Sequence, residues 1–146
     1  MNILILNGPN MNLLGLREPE IYGAETYRNL CDRISAHAAS VGCDVSFYQS
    51  NHEGDLIDRI QDAYGVFDGI VFNPAAYTHT SVALLDALNA VRIPTAEVHV
   101  SAVSKRDAFR QVDLIRTACC VYVEGKGTDG YLLALDALMD KLSVTD

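Results

Sequence analysis

The segment from Asn7 to Gly23 reads N-G-P-N-M-N-L-L-G-L-R-E-P-E-I-Y-G and gathers Asn10, Asn12, Arg17, Glu18 and Tyr22 around Pro9 and Pro19. Proline removes a backbone donor and fixes φ, so the segment is an irregular loop. A guanidinium keeps its proton, so Arg17 beside the Tyr22 phenol would favour phenolate, which is a base. A solvated loop with an incidental arginine would hold the same residues, and spacing alone does not separate the two. Glu97 and His99 stand two apart in an apolar run. On a strand their side chains leave the same face. A carboxylate there fixes the imidazole tautomer and stabilises its protonated form, as a general acid requires. The alternative is a polar strand end with both groups in water. His79 lies among Thr78, Thr80 and Ser81, where a helix should begin. Those hydroxyls suit N-capping, and a helix N-terminus suits an anion or a carbonyl. Arg106 and Arg110, four apart, would share one helix face. They could clamp a carboxylate or form an ordinary basic face.

These groups need elements to hold them. Apolar runs predict strands at Asn2–Leu6, Asp44–Tyr48, Gly69–Phe72, Thr95–His99 and Cys119–Val123. Helix-period segments between them predict helices over about Thr26–Val41, Gly54–Tyr64, Ser81–Ala90, Lys105–Ile115 and Asp129–Leu142. Strands alternating with helices imply a parallel sheet covered on both faces. For 146 residues this gives one domain, residues 1–146, with a flavodoxin-like, doubly wound, five-stranded α/β fold of order 2-1-3-4-5. The polar residues cluster after strands one, three and four. Open α/β sheets bind ligands at these carboxyl ends.

Composition narrows the function. A net charge of −8 discourages nucleic acid and anionic membranes as partners. An anionic ligand would need local arginines. No stretch approaches the roughly 18 apolar residues of a membrane span, and the first residues lack a signal-peptide pattern, so the expected location is cytoplasmic. Cys31, Cys43, Cys119 and Cys120 have no metal-site spacing and read as structural thiols, the last two inside an apolar run. Dinucleotide, P-loop, H-E-x-x-H and G-x-S-x-G patterns are absent, which sets those chemistries aside. Only Lys105, Lys126 and Lys141 are present, outside the polar loops, which disfavours an imine mechanism.

Taken together, Asn7–Gly23, Gln49–Ala63, Asn73–Leu88, Glu97–Arg110 and Gly130–Leu138 resemble the type II 3-dehydroquinate dehydratases, in that family's order and spacing. The resemblance implies anti elimination of water from 3-dehydroquinate through an enolate, giving 3-dehydroshikimate without metal or cofactor. The reaction serves the shikimate pathway or quinate catabolism. By position, Tyr22 would be the base and Arg17 would keep it acidic. His99 would be the acid, oriented by Glu97, and Asn10 would hold the water that bonds the enolate oxygen. Asn73, His79 and Arg110 would bind substrate hydroxyl and carboxylate groups, with the backbone at Val100 and Ser101 taking the carboxylate. Asp86 would reach a neighbouring subunit's site in a trimer, and four trimers would form a homododecamer.

The chain departs from the family at Leu85, Ala102 and Ser104, and across 111–127, where Asp113, Arg116, Glu124 and Lys126 replace a usually apolar, Gly-rich stretch. None of these replaces an assigned catalytic group. They bear on assembly and affinity. Two other readings share the fold. A binding protein would need neither Tyr22 nor His99, and a signalling or electron-transfer domain would want an acidic cluster or phosphate loop after strand one.

Overall fold

A computed structural model describes residues 1–16, 20 and 24–144 of the chain. Its strands are β1 (Asn2–Asn7), β2 (Asp44–Gln49), β3 (Gly69–Asn73), β4 (Thr95–His99) and β5 (Val121–Glu124), all parallel. Their order is 2-1-3-4-5, as the alternating pattern predicts. The helices are α1 (Tyr27–Ser40), α2 (Glu53–Asp62), α3 (Val82–Val91) and α4 (Asp129–Val144). Among the described residues, no helix is long and apolar enough to cross a membrane.

The central strand shows why this sequence makes this sheet. Successive side chains of a strand point to opposite faces. Ile3 and Ile5 accordingly join one core, with Leu30 and Ile34 of α1 and Leu135 and Leu138 of α4. Leu4 and Leu6 join the other, with Leu56 and Ile60 of α2 and Leu84 and Leu88 of α3. A strand buried on both sides needs an unbroken apolar run, and burying each such side chain contributes roughly 1.5–3 kcal/mol. Helix starts are fixed locally: Thr26 Oγ1 accepts the Asn29 N–H at 3.1 Å, and Ser81 Oγ accepts that of Leu84 at 3.0 Å. The second bond confirms Ser81 as a capping hydroxyl, while Thr78 is used elsewhere.

The chain reverses direction across the sheet between β1 and β3. There Gly8 donates its N–H to the Asn73 carbonyl at 2.8 Å. A Cβ at Gly8 would lie 2.6 Å from the Pro74 carbonyl oxygen, so only glycine permits this approach. Open α/β sheets bind ligands in the crevice beyond such a switch point.

Two expectations fail. No α-helix forms over Lys105–Ile115; short 3₁₀ turns occupy Val103–Lys105 and Ala108–Gln111 instead. Phe109 and Val112 are exposed, so the stretch has no apolar face to bury. It is held in place by two tethers: the Leu114 N–H donates to the Thr78 carbonyl at 2.8 Å, and His79 Nδ1 donates to that of Val112 at 2.6 Å. The last strand begins at Val121, leaving Cys119 and Cys120 before it. Cys119 packs against the α2–α3 core, but Cys120 is exposed rather than buried.

Candidate active site

A cleft opens where β1, β3 and β4 end. Asn10, Asn73, His79, His99, Val100, Ser101, Arg106 and Arg110 all line it. Eight positions singled out in the sequence thus meet in one place. Arg106 and Arg110 arrive there without the expected helix: Arg106 is extended and Arg110 sits in a 3₁₀ turn. Arg110 is steadied by the Asp107 carboxylate, which accepts its Nε–H at 3.3 Å. Asp86 does not line this cleft and lies exposed on α3. Arg17 and Tyr22 lie outside the described residues.

Glu97 and His99 emerge from β4 on the face opposite Ala96 and Val98, as period two requires. They are not solvated. Glu97 is fully buried and His99 nearly so, with His99 Nε2 2.6 Å from Glu97 Oε1. A carboxylate at this distance fixes the hydrogen on Nε2 and leaves Nδ1 as the nitrogen free to serve a ligand. Burial pushes the Glu97 carboxyl above its ordinary range, against the lowering effect of the hydrogen bond and charge of His99.

Beneath the pair lies a contact that spacing did not reveal. Thr78 Oγ1 is 2.5 Å from Glu97 Oε1 and 2.8 Å from Asp113 Oδ1. Thr78 comes from the turn after β3 and Asp113 from the segment before β5, so only the folded chain brings them together. Glu97, His99 and Asp113 each offer an atom within 4.8 Å of the others, a spacing a metal ion could use. Here the Thr78 hydroxyl stands between the two carboxylates, and hydrogen bonds span the group.

On the opposite face of the sheet, Asn73 is held rather than free. Its Nδ2 donates to the Tyr131 hydroxyl at 2.9 Å, and its Oδ1 accepts the Ala75 N–H at 3.0 Å. The Tyr131 hydroxyl donates onward to Asn7 Oδ1 at 2.5 Å, and Asn7 Nδ2 donates to the Tyr27 hydroxyl at 3.3 Å. Tyr131 is fully buried, and burial drives its phenol far above the ordinary range, so it stays neutral. Tyr131 and Asn7 were not singled out. The available signal was a phenol inside the apolar stripe of α4, which needs a buried partner.

Asn10 takes up a left-handed backbone, φ 69°, which asparagine tolerates better than most residues. Its N–H donates to Asn51 Oδ1 at 2.9 Å, so the end of β2 positions the loop after β1. The rim at Val100 and Ser101 is braced from below: Gly125 N–H donates to the Ser101 carbonyl at 3.2 Å and Gly127 N–H to that of Val100 at 3.1 Å. Two of the departures from the family satisfy one another, since Ser104 donates both its hydroxyl and its N–H to the Glu124 carboxylate. Partial burial works to raise the Glu124 carboxyl, but the bonds from Ser104 and Tyr122 hold it below its ordinary value.

Residues 1–139 match the family described as dehydroquinase class II. A 3-dehydroquinate dehydratase from Carboxydothermus hydrogenoformans is 50% identical over 146 residues, covering 100% of this chain and 95% of the relative. One from Clostridium perfringens is 46% identical over 143 residues, 97% of this chain and 99% of the relative. The crystal structure of a type II dehydroquinase from Butyrivibrio crossotus superposes with a TM-score of 0.93 at 48% identity, covering 95% of this chain and 97% of that one. With likeness over nearly the whole length and a cleft that gathers the expected groups, the chain belongs to the class II dehydroquinases, hydro-lyases that dehydrate 3-dehydroquinate.

Proposed function

We propose that the cleft removes water from 3-dehydroquinate by anti elimination through an enolate, with Tyr22 as base and His99 as acid on opposite faces of the ring. The observation that carries this reading is the buried Glu97–His99 pair opening onto a cleft lined by Arg106 and Arg110. A binding protein gains nothing from burying a carboxylate under a histidine; a general acid gains a fixed tautomer and a stabilised cation. In an acidic protein, two arginines are what an anionic carboxylate substrate needs.

The steps balance in this site. The Tyr22 phenolate takes the proton α to the ketone, and the electron pair moves onto the ketone oxygen as enolate. Arg17 favours the phenolate, and a water held by Asn10 donates to the enolate oxygen. The enolate then collapses, the C–O bond breaks, and the His99 proton leaves with the hydroxyl as water. Arg110, His79 and the backbone at Val100 and Ser101 hold the substrate's carboxylate and hydroxyls, with Asn73 beneath them. Glu97 orients His99 throughout.

The catalytic unit is the single domain of residues 1–146, cytoplasmic, and assembled into trimers in which Asp86 serves a neighbouring site. Its exposure on α3, away from its own cleft, supports that role. Four trimers make a dodecamer. The pairing of Glu124 with Ser104 removes one objection to it, because the carboxylate would not enter an interface unpartnered.

The test is direct. Purified protein given 3-dehydroquinate should produce the rising enone absorbance of 3-dehydroshikimate, and Tyr22→Phe should abolish it while the protein stays folded and still binds. A Tyr22→Phe enzyme with a tenth of the wild-type kcat would overturn the base, and wild-type protein without any absorbance change would overturn the reaction.

A further inference from the structure

The hydrogen bonds around Thr78 demand one proton more than the ordinary ionisation states provide. Three contacts run in series: His99 Nε2 to Glu97 Oε1 at 2.6 Å, Glu97 Oε1 to Thr78 Oγ1 at 2.5 Å, and Thr78 Oγ1 to Asp113 Oδ1 at 2.8 Å. Each needs its own hydrogen. The imidazole supplies the first, and the Thr78 hydroxyl supplies one of the other two. If both carboxylates were ionised, one of them would face the Thr78 oxygen with lone pair against lone pair. The missing hydrogen belongs on a carboxyl group.

Two observations indicate which one. Asp113 Oδ1 already accepts the N–H groups of Ile115 at 3.1 Å and Arg116 at 3.0 Å, which favours the ionised form there. Glu97 Oε2 and Asp113 Oδ2 are both buried without a hydrogen-bond partner among the described residues, but Glu97 is fully buried and Asp113 only half-buried. An orphaned oxygen costs less on a neutral carboxyl than on a carboxylate. In the unliganded protein the proton therefore resides on Glu97, directed at Thr78, which in turn donates to Asp113; with that same proton on His99 instead, the pair becomes the imidazolium–carboxylate form that acts as the acid.

We propose that Asp113 is a positioning residue for the acid: acting through Thr78, it makes Glu97 and Asp113 share one proton and so keeps the Glu97–His99 pair loaded to higher pH than the pair would reach alone. This rests on reading His99 as the acid. The other ionisable groups nearby do not replace it. Cys119 and Tyr122, beside the two carboxylates, are pushed far up by burial and remain neutral. Arg116 lies over the Tyr122 ring at 4.1 Å, Glu124 is engaged by Ser104, and His79 is engaged by Val112.

The test compares wild type with Asp113→Asn, which keeps an oxygen for the two backbone N–H groups and removes the charge. In the unliganded protein, carbon NMR of the Glu97 carboxyl should show its titration moving to lower pH by about one to two units, because a neighbouring negative charge has gone. The alkaline limb of the kcat profile should move the same way, and Asp113→Glu should restore both. If Asp113→Asn fails to fold, Asp113→Ser serves, since serine also accepts backbone N–H groups at such a turn. A folded, charge-removing variant whose Glu97 titration stays in place overturns the shared proton. A Glu97 titration that moves while the kcat profile does not leaves the shared proton standing and overturns His99 as the acid.

Discussion

Two buried polar networks meet the cleft from opposite faces of the same sheet, and they are built from different chemistry. Below β1 and β3, Tyr27, Asn7, Tyr131 and Asn73 form a chain of phenols and amides. Below β4, His99, Glu97, Thr78 and Asp113 form a chain that contains two carboxyl groups and an imidazole. The first has no group that changes charge near neutral pH, since burial raises both the Tyr27 and the Tyr131 phenol out of reach. It can hold a shape and nothing more. The second can hold, lose and regain a proton. One sheet thus carries a fixed wall and a titratable network side by side, with strand parity deciding which residue joins which.

The comparison is tested most severely at His99. Replacing it with glutamine keeps a polar side chain near Glu97 but removes the proposed acid. General acid catalysis is typically worth about 10²–10⁴-fold, so kcat should fall by that much while 3-dehydroquinate still binds, as single-turnover kinetics and calorimetry would record. A loss smaller than tenfold would mean that the charged network is structural, like its neighbour.

How much of this contrast could be read from the chain follows from which contacts are local. The alternation of Ile3 to Leu6 between two cores and the two-residue spacing of Glu97 and His99 are properties of a few neighbours, and both were legible. The depth of that pair was not, because Thr78 covers it from 19 positions before Glu97 and bonds in turn to Asp113, 35 positions beyond Thr78. The Tyr131–Asn7 bond spans 124 positions, so the phenol in the stripe of α4 shows that a partner is needed but not which one. The segment 105–115 shows the opposite failure. Its two arginines have helical spacing, yet its backbone is tied across the turn after β3, and those ties outweigh a weak propensity. The arginines reach the cleft because the tether passes along its rim.

The neutral network should break differently. Tyr131→Phe deletes one hydroxyl, strands Asn7 Oδ1 in a buried setting and leaves Asn73 Nδ2 with only the weak acceptor Met11 Sδ. Leaving such groups unsatisfied costs about 1–3 kcal/mol, which denaturant unfolding would measure. The loss should be the same across neutral pH, and the kcat profile should keep its shape while KM rises as Asn73 loosens. A profile displaced along the pH axis would show that the two networks are coupled across the sheet, and the division drawn here between wall and donor would fail.

The smallest effect lies in how stability responds to pH, and it separates the networks without any substrate. Burial raises the folded-state titration of Glu97 above its ordinary value of 4.5. Below that value both folded and unfolded chains hold the proton, and the contribution is fully present. Above it, the unfolded chain releases the proton while the folded chain keeps it, so stability should fall as pH rises towards the folded-state value, by at most about 1.4 kcal/mol per pH unit for one proton. Glu97→Gln carries no titrating group, so the difference between wild type and variant in urea unfolding should slope over this window and level off beyond it. Tyr131→Phe compared with wild type should give a flat line over the same range, because its phenol stays neutral in both states. A flat line for Glu97→Gln as well would mean that Glu97 exchanges no proton on unfolding, and the β4 network would then be as inert as the wall opposite.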